Sequence, residues 1–197
     1  MVAAAAIVIV VLSSRTGSSA KQTPSAGSAT TTPPATTSQV NSTSPIPEGF
    51  RSYHDSTGFA VPIPNTWSGP EQRPNGVFFY SPDHTSLIQI DQTATPAPSA
   101  LQDWTNQERT LSKARPGYQR VRLAPTGNAP PVPDPTGDLS ADWEYTYDTP
   151  AGRRHVLDRG FVSHGHGYAI LIAAPDTQWT TITSQLNPIY AGFTPTP

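Results

Sequence analysis

The stretch ADWEYTYDTPAGRRHVLDRGFVSHGHGYAILIA, residues 141–173, decides the fold. Its first seven residues alternate, with Trp143, Tyr145 and Tyr147 on one face and Asp142, Glu144 and Thr146 on the other. That period of two is the mark of a β-strand. Residues 154–162 and 167–173 read as two further strands, and the last is apolar on both faces, as a central strand must be. Between them Ser163-His164-Gly165-His166-Gly167 has the composition of a hairpin turn, where glycine supplies positive φ.

Working outward, residues 51–54 and 59–63 read as a short strand pair across the turn Asp55-Ser56-Thr57-Gly58. Pro62 and Pro64 place the second of these at an edge or a strand end. Residues 77–80 and 87–91 form a hairpin across Ser81-Pro82-Asp83-His84, and residues 118–123 make another strand. Ser99 is placed to cap a helix over 101–114, with Leu101, Trp104, Glu108 and Leu111 on one side. Asp176 is placed to cap a second helix with the stripe Trp179, Ile182, Leu186 and Ile189, which Pro188 should bend or shorten. The Pro-rich stretch 127–135 reads as a surface loop. The expected class is α+β: a mostly antiparallel sheet of about seven strands with helices packed on one face or both.

The chain has 197 residues, a net charge of −2 and 13% charged residues, well under the customary quarter. No broad basic surface follows from that balance, which argues against a nucleic-acid partner. With 0 cysteines the chain has no disulfide, no thiolate metal site and no cysteine nucleophile. Composition divides it into 1–12, 13–48 and 49–194. The apolar run 2–12 would span roughly 16 Å as a helix, about half of a hydrocarbon core. Two readings fit: a signal segment that lacks the usual leading positive charge, or, favoured, the outer half of a transmembrane helix with Met1 an internal start. Arg15 and Lys21 just beyond it mildly oppose an outward-facing C-terminal side. The Ser/Thr/Pro/Ala/Gly-rich linker 13–48 has too little apolar mass to offset chain entropy and is expected to be disordered. All four tryptophans lie in 49–194, a length able to form its own core.

Few residues offer chemistry. His164 and His166 could be half of a metal site, but no HExxH accompanies them, and the turn explains their glycines. His155, Asp158 and Ser163 hold the residue types of a hydrolytic triad. However, His155 and Asp158 are three apart on one strand and point to opposite faces, and no G-x-S-x-G elbow occurs. Asp142 and Glu144 oppose the basic run Arg153, Arg154 and Arg159, which suits cross-strand pairing or a polar ligand groove. In the groove reading, Glu144 and Arg159 bind ligand, joined by Trp67, a loop tryptophan expected either to be the most exposed or to cap the core. Trp104, Trp143 and Trp179 are expected where helix stripes meet the sheet. No phosphate-binding loop or kinase signature occurs, and no catalytic residue, metal or cofactor is assigned.

Several patches carry a resemblance: Tyr53-His54-Asp55-Ser56-Thr57-Gly58-Phe59-Ala60-Val61-Pro62-Ile63-Pro64 followed by Trp67, Val77-Phe78-Phe79-Tyr80-Ser81-Pro82-Asp83, Pro116-Gly117-Tyr118, Ala141-Asp142-Trp143-Glu144-Tyr145, and Arg153 to Phe161. Together they resemble the extracytoplasmic C-terminal domain of membrane-anchored actinobacterial serine/threonine protein kinases and related membrane proteins. The resemblance spans about Phe50 to Phe193 and implies a PsbP-like sandwich, similar also to LpqN-type lipoproteins. It further implies a Pro/Ser/Thr linker after a single transmembrane helix, and no catalytic residues. The expectation is a non-catalytic binding or sensor domain, either stand-alone or the detached C-terminal part of a serine/threonine protein kinase, held outside the cytoplasm on the cell membrane and recognising an envelope component or an exported protein. Two alternatives remain: an assembly module docking another exported protein, and a hydrolase using the Ser163–Gly167 region.

Overall fold

The computed structural model describes residues 46–197, so the expected membrane segment 1–12 and most of the linker 13–48 lie outside the described residues. Among the described residues no helix is long and apolar enough to cross a membrane. Seven strands form one antiparallel sheet: β3 (Ser68–Arg73), β4 (Gly76–Tyr80), β5 (Leu87–Thr93), β6 (Gln119–Pro125), β7 (Ser140–Thr149), β8 (Gly152–Ser163) and β9 (His166–Pro175). Their spatial order is β3-β4-β5-β9-β8-β7-β6. Two helices, α1 (Ala100–Ala114) and α2 (Trp179–Ala191), complete the main architecture. A separate antiparallel pair, β1 (Phe50–His54) and β2 (Ala60–Pro64), forms its own two-stranded sheet.

β9 occupies the middle of the sheet because both of its faces are apolar. Tyr168, Ile170, Ile172 and Ala174 pack into a core with Ile182, Leu186 and Ile189 of α2 and with Val61 and Ile63 of β2. Leu171 and Ala173 pack into a second core with Trp104 of α1 and with Trp143 and Tyr145 of β7. The sheet is therefore covered on both faces, by α1 on one and by α2 with the β1–β2 pair on the other. Full burial of side chains such as Ile170 and Ile172 stabilises by about 1.5–3 kcal/mol each.

The local signals act as the sequence predicts in most places. Ser99 caps α1, its side chain accepting from the Gln102 N–H at 3.3 Å. The turn between β8 and β9 carries His164 at φ 50 and Gly165 at φ 79, the positive pair that a tight two-residue hairpin requires. Four expectations need correction. β3 was absent from the reading because its sequence, SGPEQR, is polar and almost wholly exposed, and only its backbone ladder to β4 makes it a strand. The β1–β2 pair lies outside the main sheet, whose seventh strand is β3. Asp176 does not cap α2, since it sits in a single 3₁₀ turn and hydrogen-bonds His155 instead. The loop 127–135 is not merely superficial: Asp134 is buried, and its carboxylate accepts from the Leu139 and Ser140 N–H groups. Those bonds, with others from Thr136, hold the carboxyl far below the usual range. Pro188 is accommodated inside α2, which ends three residues later at Ala191.

Gly160 of β8 lies directly beneath the Trp104 indole, and a Cβ there would come within 2.7 Å of the ring. The ring cannot easily retreat, because Trp104 is 4% exposed and its Nε1 donates to the Ala141 carbonyl at 3.2 Å. Gly160→Ala should therefore destabilise by about 1–3 kcal/mol through overpacking, read by denaturant unfolding; an unchanged midpoint would show that α1 floats freely over the sheet.

Candidate functional site

The two faces of the sheet carry charge in opposite ways. On the α2 face, Asp142 of β7 stands in register with Arg159 of β8. Arg159 donates to both carboxylate oxygens, Nε to Oδ1 at 2.6 Å and Nη2 to Oδ2 at 2.8 Å. Arg122 on the edge strand β6 adds a third bond to Oδ2 at 2.6 Å. The Arg159 guanidinium also donates to the Pro130 carbonyl and lies 4.4 Å from the Tyr190 ring centre. Beside it, Glu144 Oε1 accepts from Trp179 Nε1 at 3.2 Å and lies 2.9 Å from His155 Nε2. The other imidazole nitrogen is 2.8 Å from Asp176, and the ring stacks on Trp179 at 4.0 Å and 7°. The His155 contact, ahead of Trp179 and Arg122, holds the Glu144 carboxyl below its ordinary value.

Glu144 and Arg159, the residues chosen from sequence as ligand contacts, are thus brought into one network whose charges already face partners. The cross-strand pairing is real, though Glu144 itself stands opposite Leu157 and reaches the His155 ring diagonally. Arg153 pairs with Asp148 instead, and Arg154 donates to the Thr85 carbonyl. Of its two expected places Trp67 takes the core: it is 6% exposed, in the half of the sheet remote from β6 to β8, and so does not join Glu144 and Arg159 in a groove. The other three tryptophans lie where a helix meets the sheet, Trp104 and Trp143 under α1 and Trp179 on the opposite face, partly buried at the start of α2. His164 contacts the Thr196 carbonyl and His166 contacts Gln92. Among the described residues no group of three His, Cys, Asp or Glu side chains is placed to hold a metal ion.

The α1 face is different. α1 packs on β6, β7 and β8, and between its first two turns and strands β5 and β9 a cleft of about 60 Å³ opens. Its floor is Gly160 and Ala169, which share a cross-strand row with Asp91. Ala100, Asp103, Trp104 and Gln107 of α1 form one wall, and Asp91 with Thr93 of β5 forms the opposite one. Asp158 lies two residues from Gly160 on β8, on the same face, and is 1% exposed. His155 points to the other side, as their odd spacing requires.

These three carboxyls lack cations. Among the described residues Asp91, Asp103 and Asp158 enter no ion pair. Burial raises the pKa of Asp91, relieved in part by the Gln92 N–H at 2.8 Å. Burial likewise raises Asp103, which accepts from Gln107 Nε2 at 3.3 Å. Asp158 is pushed up to about 8, first by burial and then by the charges of Asp91, Asp142 and Asp103, and its Oδ1 has no hydrogen-bond partner. The sequence reading missed this group because Asp91 and Asp103 lie on separate elements. An aspartate on the inward face of an apolar strand was the available signal. A concave, mostly apolar pocket with a few convergent perturbed groups is the general form of a ligand site.

The fold and cleft define a small α+β domain with a helix-lidded pocket and no catalytic constellation among the described residues. The chain belongs to the family of serine/threonine kinase C-terminal domains, whose family model matches residues 51–195. Cyanobacterial PsbP (CyanoP) from Synechocystis sp. PCC 6803 is similar at a TM-score of 0.54 and 16% identity, covering 74% of this chain and 92% of that one. LpqN of Mycobacterium tuberculosis, described as involved in cell envelope biogenesis, is similar at 0.52 and 16%, covering 75% and 91%. No curated protein sequence matches the chain. The fold is thus PsbP-like and LpqN-like, and the domain is a kinase-associated one distinct from a kinase catalytic domain.

Two outcomes separate the faces. Arg159→Met leaves the Asp142 carboxylate short of its main partner in the interior and should cost about 3–5 kcal/mol in unfolding free energy. Asp158 has the reverse sign. Unfolded, it ionises near pH 4; folded, only near 8. Between those values the unfolded state holds fewer protons, so stability falls as pH rises. Asp158→Asn should flatten that decline and raise the melting temperature at pH 8, the two proteins converging near pH 4. An unaltered pH profile would mean that Asp158 is ionised and compensated in the fold.

Proposed function

We propose that this chain is a non-catalytic binding domain held outside the cytoplasm on the cell membrane, reading an envelope component or exported protein through the α1 cleft. The observation that carries the binding reading is the contrast between faces. The α2 face has satisfied its charges internally, while the α1 cleft gathers carboxyls without cations against apolar walls. Membership of the kinase C-terminal family supports a role in reporting occupancy to a kinase. The envelope role described for LpqN, together with the apolar run 2–12 followed by a Pro/Ser/Thr-rich stretch, supports the location.

An assembly role has one observation in its favour. Strand β6 is an open edge of the sheet and presents Val121 at 54% exposure. Edge strands of this kind accept a further strand from a partner.

A fragment screen by NMR on the full chain tests the binding reading. Binding compounds are expected to move the Trp104 and Gly160 resonances, and Gln107→Trp, which fills the mouth of the cleft, should abolish the effect. Binding that spares Trp104 and survives Gln107→Trp would move the site elsewhere, and a concentration-dependent sedimentation coefficient would favour assembly through β6. For location, a C-terminal phosphatase reporter active only after export should be active; a silent reporter on a stably expressed fusion would place the domain inside.

A further inference from the structure

We infer that the α1 cleft selects a compact organic cation, an ammonium or guanidinium group on a short apolar stem. The inference rests on the binding reading above and names its chemistry. Asp91 and Asp103 face the same small space from opposite walls, and no Lys, Arg or His lines it. The arginines of β6 and β8 closest to this face are directed elsewhere: Arg120 to Glu108, Arg122 and Arg159 to Asp142, Arg154 to the Thr85 carbonyl. Beside the floor, on the same face of β8, Asp158 carries a buried Oδ1 with no hydrogen-bond partner. The cleft is therefore rich in acceptor capacity. Asp91 and Asp103 each accept a single bond, against about four lone-pair sites on a carboxylate. An ammonium offers three donors and no acceptor, the complement of this lining.

The opposite choice, an anion at the start of α1, fails on the hydrogen bonds. All four first-turn N–H groups are already committed: Ala100 to the Asp138 carbonyl, Leu101 to the Gly137 carbonyl, Gln102 to the Ser99 hydroxyl and Asp103 to the Ser99 carbonyl. No free donor remains there to hold a phosphate or carboxylate, and two aspartates would repel it. A metal ion fits no better, since no group of three metal-binding side chains converges among the described residues. Size and surface point to an organic group. About 60 Å³ is roughly the share of two water molecules in the liquid, enough for a charged head and a methylene or two, the rest of a short stem lying in the open mouth. Pro96, Ala100 and the Trp104 indole supply an apolar wall for the stem, and an indole is the most favourable aromatic neighbour for a cation.

The test uses the full chain, isotope-labelled, titrated with n-butylammonium chloride, with n-butanol and sodium n-butyrate at matched ionic strength as comparisons. Butylammonium is expected to move the Trp104 and Gly160 resonances saturably in the millimolar range. Asp91→Asn and Asp103→Asn should each weaken it at least tenfold while butanol and butyrate leave the cleft unmoved. Because burial disfavours both charges, these isosteric variants should fold at least as well as the parent, so lost binding is not lost structure. If butanol or butyrate occupies the cleft as well as butylammonium does, the site stands and the cation assignment falls. If none of the three moves the cleft resonances, the cleft is not a ligand site and both readings fall together.

Discussion

The constraint on which the rest depends is that β9 is apolar on both faces and must be covered on both. Ile170 and Ile172 demand one cover, Leu171 and Ala173 another, and no single helix can supply the two. On the first side the cover is complete, because α2 is joined by the β1–β2 pair and by the C-terminal residues Phe193 and Thr194, the latter bridging to Ala60. On the second side one 15-residue helix serves a seven-stranded sheet. Since α1 settles over β6, β7 and β8, where Trp143 and Tyr145 give the largest aromatic contact, its first turns overhang β9 and β5. The cleft is the space left by that mismatch in area.

The placement of charge follows the same asymmetry. Buried ion pairs contribute little net stability against hydrophobic replacements but fix geometry when every partner is present. The Asp142–Arg159–Arg122 cluster ties three neighbouring strands, the loop at Pro130 and Tyr190 of α2 into one arrangement. It is a registration device for the α2 side. The carboxyls under α1 tie nothing together. Asp158 is buried, its pKa is raised first by burial and its Oδ1 has no hydrogen-bond partner, and groups of that kind concentrate at functional sites.

What was legible in the sequence is what repeats locally. Alternation of residues 141–147, the two-faced apolar run 167–173 and the stripe Leu101, Trp104, Glu108, Leu111 each announce their burial within a few residues of chain. The family resemblance was carried by the same aromatic and turn patches, and it too is upheld. Strand β3 was not legible, since its pairing with β4 is made by backbone groups that every sequence possesses. Nor was the fate of Asp176, whose helix-capping position lost to His155, twenty-one residues earlier but adjacent across the β8–β9 register. The two carboxyls of the cleft and Asp158 beside it come from β5, α1 and β8, and only the strand order β5-β9-β8 with α1 laid across it makes them neighbours. Long-range order of that kind leaves no period in the chain.

The floor of the cleft also constrains how such domains can diverge. Gly160 has no room for a β-carbon under the indole, and Gly167 beside it is crowded by Thr93 and Pro96. At these two positions β8 and β9 therefore cannot carry a side chain without displacing a neighbour. Variation in what related chains recognise has to be written on α1 and β5, where Asp103, Gln107 and Asp91 are half-buried and free to change without displacing the sheet. A comparison of relatives should find recognition chemistry drifting on those two walls over a floor that stays small.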